Sequence, residues 1–325
     1  MLKSRSVGVP KPADFALTSS ADQPLEARQL RLETQYLSLD PYLRGKISGR
    51  HLSGAIAPGD MMAGEAVSTV IETRSEKFAV GDVVAAHSGW QTRPVISDAD
   101  ARAVNTYGAP ASTALGVMGM PGLTAYAGTL RLAQPKPGDR VLVSAAAGPV
   151  GSTVGQISRL KGAQAVGIAG SDRKCAWLRE HAGFVDTINY KQEDLRAGIA
   201  RTCPDGVDVY FDNVGGDVLQ AAMEHLAIGA RVVLCGLMAQ YNRDDMPPGP
   251  NPAFVIKARA TVRGLVVYDH EDLRGEFERT VGGWIADGSL AFNEDIARGI
   301  EATPDAFCAL MRGENFGKAL VRLGA

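Results

Sequence analysis

In residues 28–39, 66–73 and 82–86 apolar and polar positions alternate in short runs broken by Pro and Gly. Period-two runs bounded by turn residues predict a mostly antiparallel, β-rich domain over residues 1–116. From about residue 121 the texture changes to apolar runs alternating with helical segments, the pattern of a parallel α/β sheet. Strands are predicted over 140–144, 164–169, 187–189, 206–212, 230–235 and 261–267, with helices over 150–161, 172–181 and 216–225. Six strands joined by right-handed crossovers make a doubly wound sheet of Rossmann type, expected to occupy 117–287. The last stretch reads as strand 290–296, helix 304–311 and strand 318–323. It is expected to return to the first domain as residues 288–325.

With 325 residues the chain is long for one core and fits this two-domain division. A net charge of −2 supplies no basic field, so a nucleic-acid partner is not expected. The longest apolar runs, such as 231–238, fall well short of the roughly 20 residues of a membrane span. Residues 1–10 lack the apolar stretch of a secretory signal, and a cytoplasmic location is expected. Cys175, Cys203, Cys235 and Cys308 are scattered without CxxC spacing, which argues against a disulfide framework or a four-thiolate zinc site.

The sharpest chemical signal is Ser144-Ala-Ala-Ala-Gly148-Pro-Val-Gly151-Ser-Thr-Val-Gly155. It follows a buried strand and opens a helix, the context that makes a glycine pattern specific. Gly148 is read as the residue of the tight turn and Gly151 as the point where backbone approaches a pyrophosphate. Gly155 is read as letting the helix lie close on the strand. The phosphates would sit on unpaired N–H groups at the helix start, to which Pro149 cannot contribute. An NAD enzyme carries an acid at the tip of the second strand to accept from the ribose 2′-hydroxyl. Here the tip reads Val166-Gly-Ile-Ala-Gly170-Ser171, with Lys174 beyond it. Ser171 as donor and Lys174 as cation suit a 2′-phosphate, so NADPH is the expected cofactor. Asp172 is read as a helix cap, and the alternative for Lys174 is a solvated helix residue.

Six motifs occur in one order: Leu39-Asp-Pro-Tyr-Leu-Arg44, Met118-Gly-Met-Pro-Gly-Leu-Thr-Ala-Tyr126, the turn 145–156, Asp212-Asn-Val-Gly-Gly216, Cys235-Gly-Leu and Glu314-Asn-Phe-Gly-Lys318. Together they resemble the zinc-independent medium-chain dehydrogenase/reductase family, in its branch of leukotriene B4 dehydrogenases, prostaglandin reductases, 2-alkenal reductases and curcumin reductases. The resemblance spans essentially the whole chain. It implies a GroES-like catalytic domain beside the Rossmann domain, and NADPH-dependent reduction of an activated carbon–carbon double bond in an apolar enone or enal. It makes Gly148, Pro149, Val150 and Gly151 the pyrophosphate turn and Lys174 the 2′-phosphate ligand, with Tyr190 near the adenosine-side phosphate. Asn213, Cys235, Gly236, Leu237, Tyr241, Leu265, Val266, Val267 and Asn315 would line the nicotinamide half.

Zinc alcohol dehydrogenases need a Cys and a Gly-His-Glu; here stand Leu39-Asp40 and Ala63-Gly64-Glu65, and no metal ligands are assigned. His51 and His87 lack a thiolate at ligand spacing. Conjugate hydride addition instead puts charge on an enolate oxygen, which hydrogen-bond donors stabilise. Tyr42, Tyr241, Tyr268 and the cofactor's own ribose hydroxyl are the candidate donors, and the resemblance puts Tyr42 at the domain cleft. Arg44 is expected to pair with Asp40, and Met118 and Met120 to offer adaptable pocket walls. Relatives carry a tyrosine within 253–260 where this chain has Phe254-Val-Ile-Lys257, and Lys257 is read as solvated. The Pro-rich loop 241–250 is long enough for a lid, and the sheet edge at 261–267 is expected to pair two copies into a homodimer. A zinc-free quinone oxidoreductase and a non-catalytic NADPH sensor are the competing readings.

Overall fold

The computed structural model describes every residue except Asp244, Met246 and Ala325. In chain order the first stretch holds strands β1 (Gln29–Ser38), β2 (Ala66–Thr73), β3 (Val83–Ala86), β4 (Val95–Ser97) and β5 (Arg102–Ala103), with one short helix, α1 (Leu43–Ser48). Helix α2 (Met120–Ala127) then precedes β6 (Arg140–Val143), α3 (Pro149–Leu160), β7 (Gln164–Ala169), α4 (Asp172–Glu180), β8 (Asp186–Asn189), α5 (Leu195–Thr202) and β9 (Val207–Asp212). Next come α6 (Gly216–Glu224), β10 (Leu226–Leu234), α7 (Met238–Tyr241), α8 (Ala253–Ala258), β11 (Thr261–Gly264) and α9 (Arg274–Ala286). The chain ends with β12 (Glu294–Arg298), α10 (Thr303–Met311) and β13 (Lys318–Arg322).

Two compact units result, 1–116 with 294–325, and 117–293. The expected second boundary at 287/288 is therefore early by six residues. Leu290 is buried with Val117, Phe277 and Val281, and its N–H donates to the Trp284 carbonyl at 2.9 Å, so this segment stays with the middle unit. For the same reason the strand expected at 290–296 forms only from Glu294. In the first unit the sheet order is β12-β13-β1-β2-β3-β5 with β4 beside β1, antiparallel except for β12 and β13.

In the second unit the order β11-β10-β9-β6-β7-β8 is parallel throughout. It is the doubly wound order that reverses direction between its first and fourth strands, here β6 and β9. Its central strands are nearly continuous apolar runs, Val141–Val143 and Val209–Phe211 among them, because helices cover both faces. Helix α5, which no sequence signal singled out, begins at Asp194, whose carboxylate caps Ala197 N–H at 2.9 Å. The last strand stops at Gly264 rather than Val267; a 3₁₀ turn starts at Val267.

Gly155 faces Phe184: a Cβ there would lie 2.0 Å from the ring, so the glycine seats α3 on that aromatic as well as near the sheet. Gly155→Ala is expected to lower stability by about 1–3 kcal/mol through overpacking, read as a lower unfolding midpoint. Combining it with Phe184→Leu should recover part of the loss; an unchanged midpoint for Gly155→Ala would contradict the packing described.

Candidate functional site

At the carboxyl end of β6 the chain turns through Ala145, the left-handed residue of the turn at φ 47°. Gly148, expected to need glycine's freedom there, has φ −80° and ψ 170°, a conformation open to any residue. Its N–H closes the turn on the Ala145 carbonyl at 3.0 Å. Gly151 is the sterically required glycine: a Cβ would lie 2.6 Å from the Ala145 oxygen and 2.7 Å from the Ala146 Cα. The first intrahelical bond of α3 runs from Ser152 N to the Gly148 carbonyl at 3.0 Å. Helix geometry then leaves the Val150 and Gly151 N–H groups at the positive end of the helix dipole, a ready anion site.

At the end of β7, Gly170 lets the Tyr190 ring lie against the backbone, with ring atoms 2.9 Å from where a Cβ would be. Tyr190 remains 47% exposed and so offers its open face beside Ser171. Ser171 caps α4: its Oγ accepts from Lys174 N–H at 3.3 Å. The cap is therefore Ser171 and not Asp172. Asp172 instead accepts from Asn189 Nδ2 at 2.8 Å and Gln192 Nε2 at 2.9 Å, bonds that hold its carboxyl below the usual range. Lys174 occupies the third position of α4, half-buried at the same end of the sheet.

The end of β9 carries Asn213, which is buried; its Nδ2 donates to the Ser144 carbonyl at 2.8 Å. Asp212 before it is fully buried and accepts from the hydroxyls of Tyr210 and Ser144. After β10, Cys235 and Gly236 donate their N–H groups to the Asp212 carbonyl at 2.8 and 3.1 Å. Burial, with Asp212 nearby, pushes the Cys235 thiol up to about 12, so it stays protonated at neutral pH. Tyr241, in α7, sits with its hydroxyl near Gly236 and hydrogen-bonded to the Leu237 backbone; burial raises its phenol above the ordinary value.

Beyond β11 the expected trio separates. Leu265 is buried in the cluster with Val209, Phe211 and Val233, and Val267 in the cluster with Phe277 and Val281. Only Val266 is substantially open, at 43%. The side chains of Leu265 and Val267 thus serve the core, which corrects their reading as lining residues through side chains. Met118 is likewise core, 1% exposed, while Met120 is half-buried. Tyr268 is half-exposed on the 3₁₀ turn, and Lys257 is exposed on α8. The loop 241–250 contains Asp244 and Met246, which lie outside the described residues.

Tyr42 and Asn315 belong to the other unit. Tyr42 precedes α1, half-buried, its ring 5.1 Å from that of His51. The expected pairing of Asp40 with Arg44 gives way to another. Lys318 Nζ meets Asp40 Oδ1 at 2.6 Å and the Leu39 carbonyl at 2.9 Å, with both charged side chains buried. Arg44 donates to the carbonyls of Gly8 and Ser6 at 2.8 and 3.2 Å. Asn315, three residues before Lys318, donates Nδ2 to the Gly317 carbonyl at 2.8 Å, so part of its amide shapes its own turn.

One edge of one sheet therefore collects Gly148 to Gly151, Ser171, Lys174, Tyr190, Asn213, Cys235 to Leu237, Tyr241 and Val266, where ligands of open α/β sheets bind. Sequence reasoning passed over Asp212, Ser144 and Tyr210. The available signal was an acid ending an apolar strand, which must find donors once buried. Among the described residues no group of three His, Cys, Asp or Glu could hold a metal ion.

Sheet order, turn and carboxyl-edge residues define a dinucleotide-binding unit of the doubly wound class. Residues 1–104 match the model of the N-terminal domain of oxidoreductase, and residues 149–281 that of zinc-binding dehydrogenase. The chain is 39% identical over 330 residues to NADPH-dependent curcumin reductase of Escherichia coli, covering 99% of this chain and 96% of that protein. It is 40% identical over 329 residues to prostaglandin reductase 1 of Bos taurus, covering 99% and 97%. The crystal structure of CurA in complex with NADPH from Vibrio vulnificus superposes with a TM-score of 0.94 at 39% identity, covering 100% of this chain and 98% of that one. The chain belongs to the medium-chain dehydrogenase/reductase family, in its zinc-independent branch.

Proposed function

We propose that this protein is an NADPH-dependent reductase of the carbon–carbon double bond in α,β-unsaturated ketones and aldehydes. The observation that carries the reading is the tip of β7, where Gly170, Ser171 and Lys174 stand in place of an acid. Full-length relatedness to a curcumin reductase and a prostaglandin reductase supports the same substrate class. The residues fit the cofactor. Val150 and Gly151 N–H groups suit the pyrophosphate, the open Tyr190 face the adenosine side, and Ser171 with Lys174 the 2′-phosphate. When bound, NADPH supplies the hydride, which goes to the β-carbon of the enone. The protein's part is to donate a phenol hydrogen bond to the enolate oxygen, with Tyr42, Tyr241 and Tyr268 as the candidates, while solvent protonates the α-carbon. Product analysis with a simple enone should give the saturated carbonyl, with activity unchanged by chelator. Allylic alcohol as the main product, or loss of activity on chelation, would overturn the mechanism.

The same reading includes a homodimer through β11. That strand is an open edge of the parallel sheet, its four residues are all exposed, and Val262 is 39% open. An unpaired edge is closed most simply by a two-fold copy of itself. Light scattering at micromolar protein should report twice the monomer mass; a monomer would exclude the arrangement. Four free thiols, three of them buried, suit a cytoplasmic setting, and no helix among the described residues is long and apolar enough to cross a membrane.

A further inference from the structure

The parallel sheet reverses its order between β6 and β9, and a carboxylate joins the ends of these two strands. Asp212 Oδ1 accepts from the Ser144 hydroxyl at 3.0 Å, the Tyr210 hydroxyl at 2.6 Å and the N–H groups of Val214 and Gly215, each at 3.1 Å; Gly215 also reaches Oδ2 at 3.0 Å. Ser144 Oγ in turn accepts from Asn213 N–H at 2.8 Å. With its main-chain carbonyl holding Cys235 and Gly236, Asp212 touches three loops: the glycine turn, the β9–α6 turn and the β10–α7 turn. A fully buried carboxylate is costly unless donors satisfy it, and this one persists because hydroxyls and amides are held in place around it.

We propose that Asp212, with Tyr210 and Ser144, is the positioning residue of the nicotinamide half of the cofactor site. It locks the three loops at the switch point into one arrangement. The inference rests on the NADPH reading above and goes beyond it by separating the two halves of the site. The adenosine half hangs on the ends of β7 and β8, which Asp212 does not touch. The nicotinamide half hangs on the β9–α6 and β10–α7 turns, which it does touch, while the glycine turn between the halves serves the pyrophosphate. Burial holds the Tyr210 phenol well above its ordinary range, so it remains a donor to the carboxylate.

The test compares NADPH with adenosine 2′-monophosphate, which lacks the pyrophosphate and so probes the adenosine half alone, by calorimetry on Asp212→Asn and Tyr210→Phe, alongside steady-state kinetics with an enone. Asp212→Asn should lower kcat roughly 10–100-fold and weaken NADPH about tenfold, while the 2′-monophosphate changes less than about twofold. Tyr210→Phe, which keeps the ring, should lower kcat roughly 3–10-fold with the same asymmetry. Equal weakening of both ligands would mean general loosening and overturn the proposal, as would wild-type kcat in either folded variant. Should Asp212→Asn fail to fold, Tyr210→Phe decides. Failure of the wild type itself to bind NADPH would sink the cofactor reading instead.

Discussion

Tyr42→Phe is expected to cut kcat/KM for an enone by about 10–1000-fold, or roughly 1.4–4 kcal/mol of transition-state stabilisation, with NADPH affinity intact. Hydride arrival at the β-carbon turns the substrate carbonyl into an enolate oxygen, and a phenol O–H gains strength as that charge grows. The substitution removes the hydroxyl and keeps the ring. Tyr42 caps α1 without using its side chain, and its ring keeps the contact with His51. The backbone around it is tied down independently, because Leu43 N–H donates to the Asp40 carbonyl at 3.1 Å and Asp40 is gripped by Lys318. A fall confined to KM would assign Tyr42 to uniform substrate binding. No change at all would shift the donor role to Tyr241 or Tyr268.

Lys174→Ala should weaken NADPH by roughly 1.5–3 kcal/mol, about 10–150-fold in Kd, and leave NADH nearly unchanged. The lysine stands in the first turn of a helix that begins at the tip of β7, so the helix dipole and the ammonium both favour a phosphate there. Ser171 cannot replace it, because its Oγ already accepts from the Lys174 amide and offers a neutral hydroxyl only. The direct measurement is the ratio of the two cofactor affinities before and after substitution. Equal wild-type affinity for NADPH and NADH would refute the role.

Much of this site was legible because it is local. The glycine turn, the acid-free strand tip and Lys174 lie within short stretches whose backbone context follows from a buried strand and the helix after it. Apolar runs likewise marked the central strands of the parallel sheet, since strands buried on both faces carry their burial in their own composition, as the exposed edge strand β11 does not. Turn chemistry was read less well. The glycine pattern singled out Gly148, yet the left-handed residue is Ala145, because the path from β6 into α3 chooses where the chain must bend.

The chain's local patterns were enough to read the strands of the parallel sheet, the glycine turn at its carboxyl edge and NADPH as the cofactor. Tertiary structure alone decided which partner each polar group found. Asp40 had Arg44 four residues away and took Lys318, 278 positions on, because β1 and β13 are neighbours and bury both charges together. Asp212 found Ser144 across 68 positions because β6 and β9 pair at the reversal of the sheet. Leu265 and Val267, adjacent to an open Val266, turned into two different cores. Such choices depend on contacts between elements far apart in the chain, where desolvation selects among chemically equivalent partners, and no local pattern records the outcome.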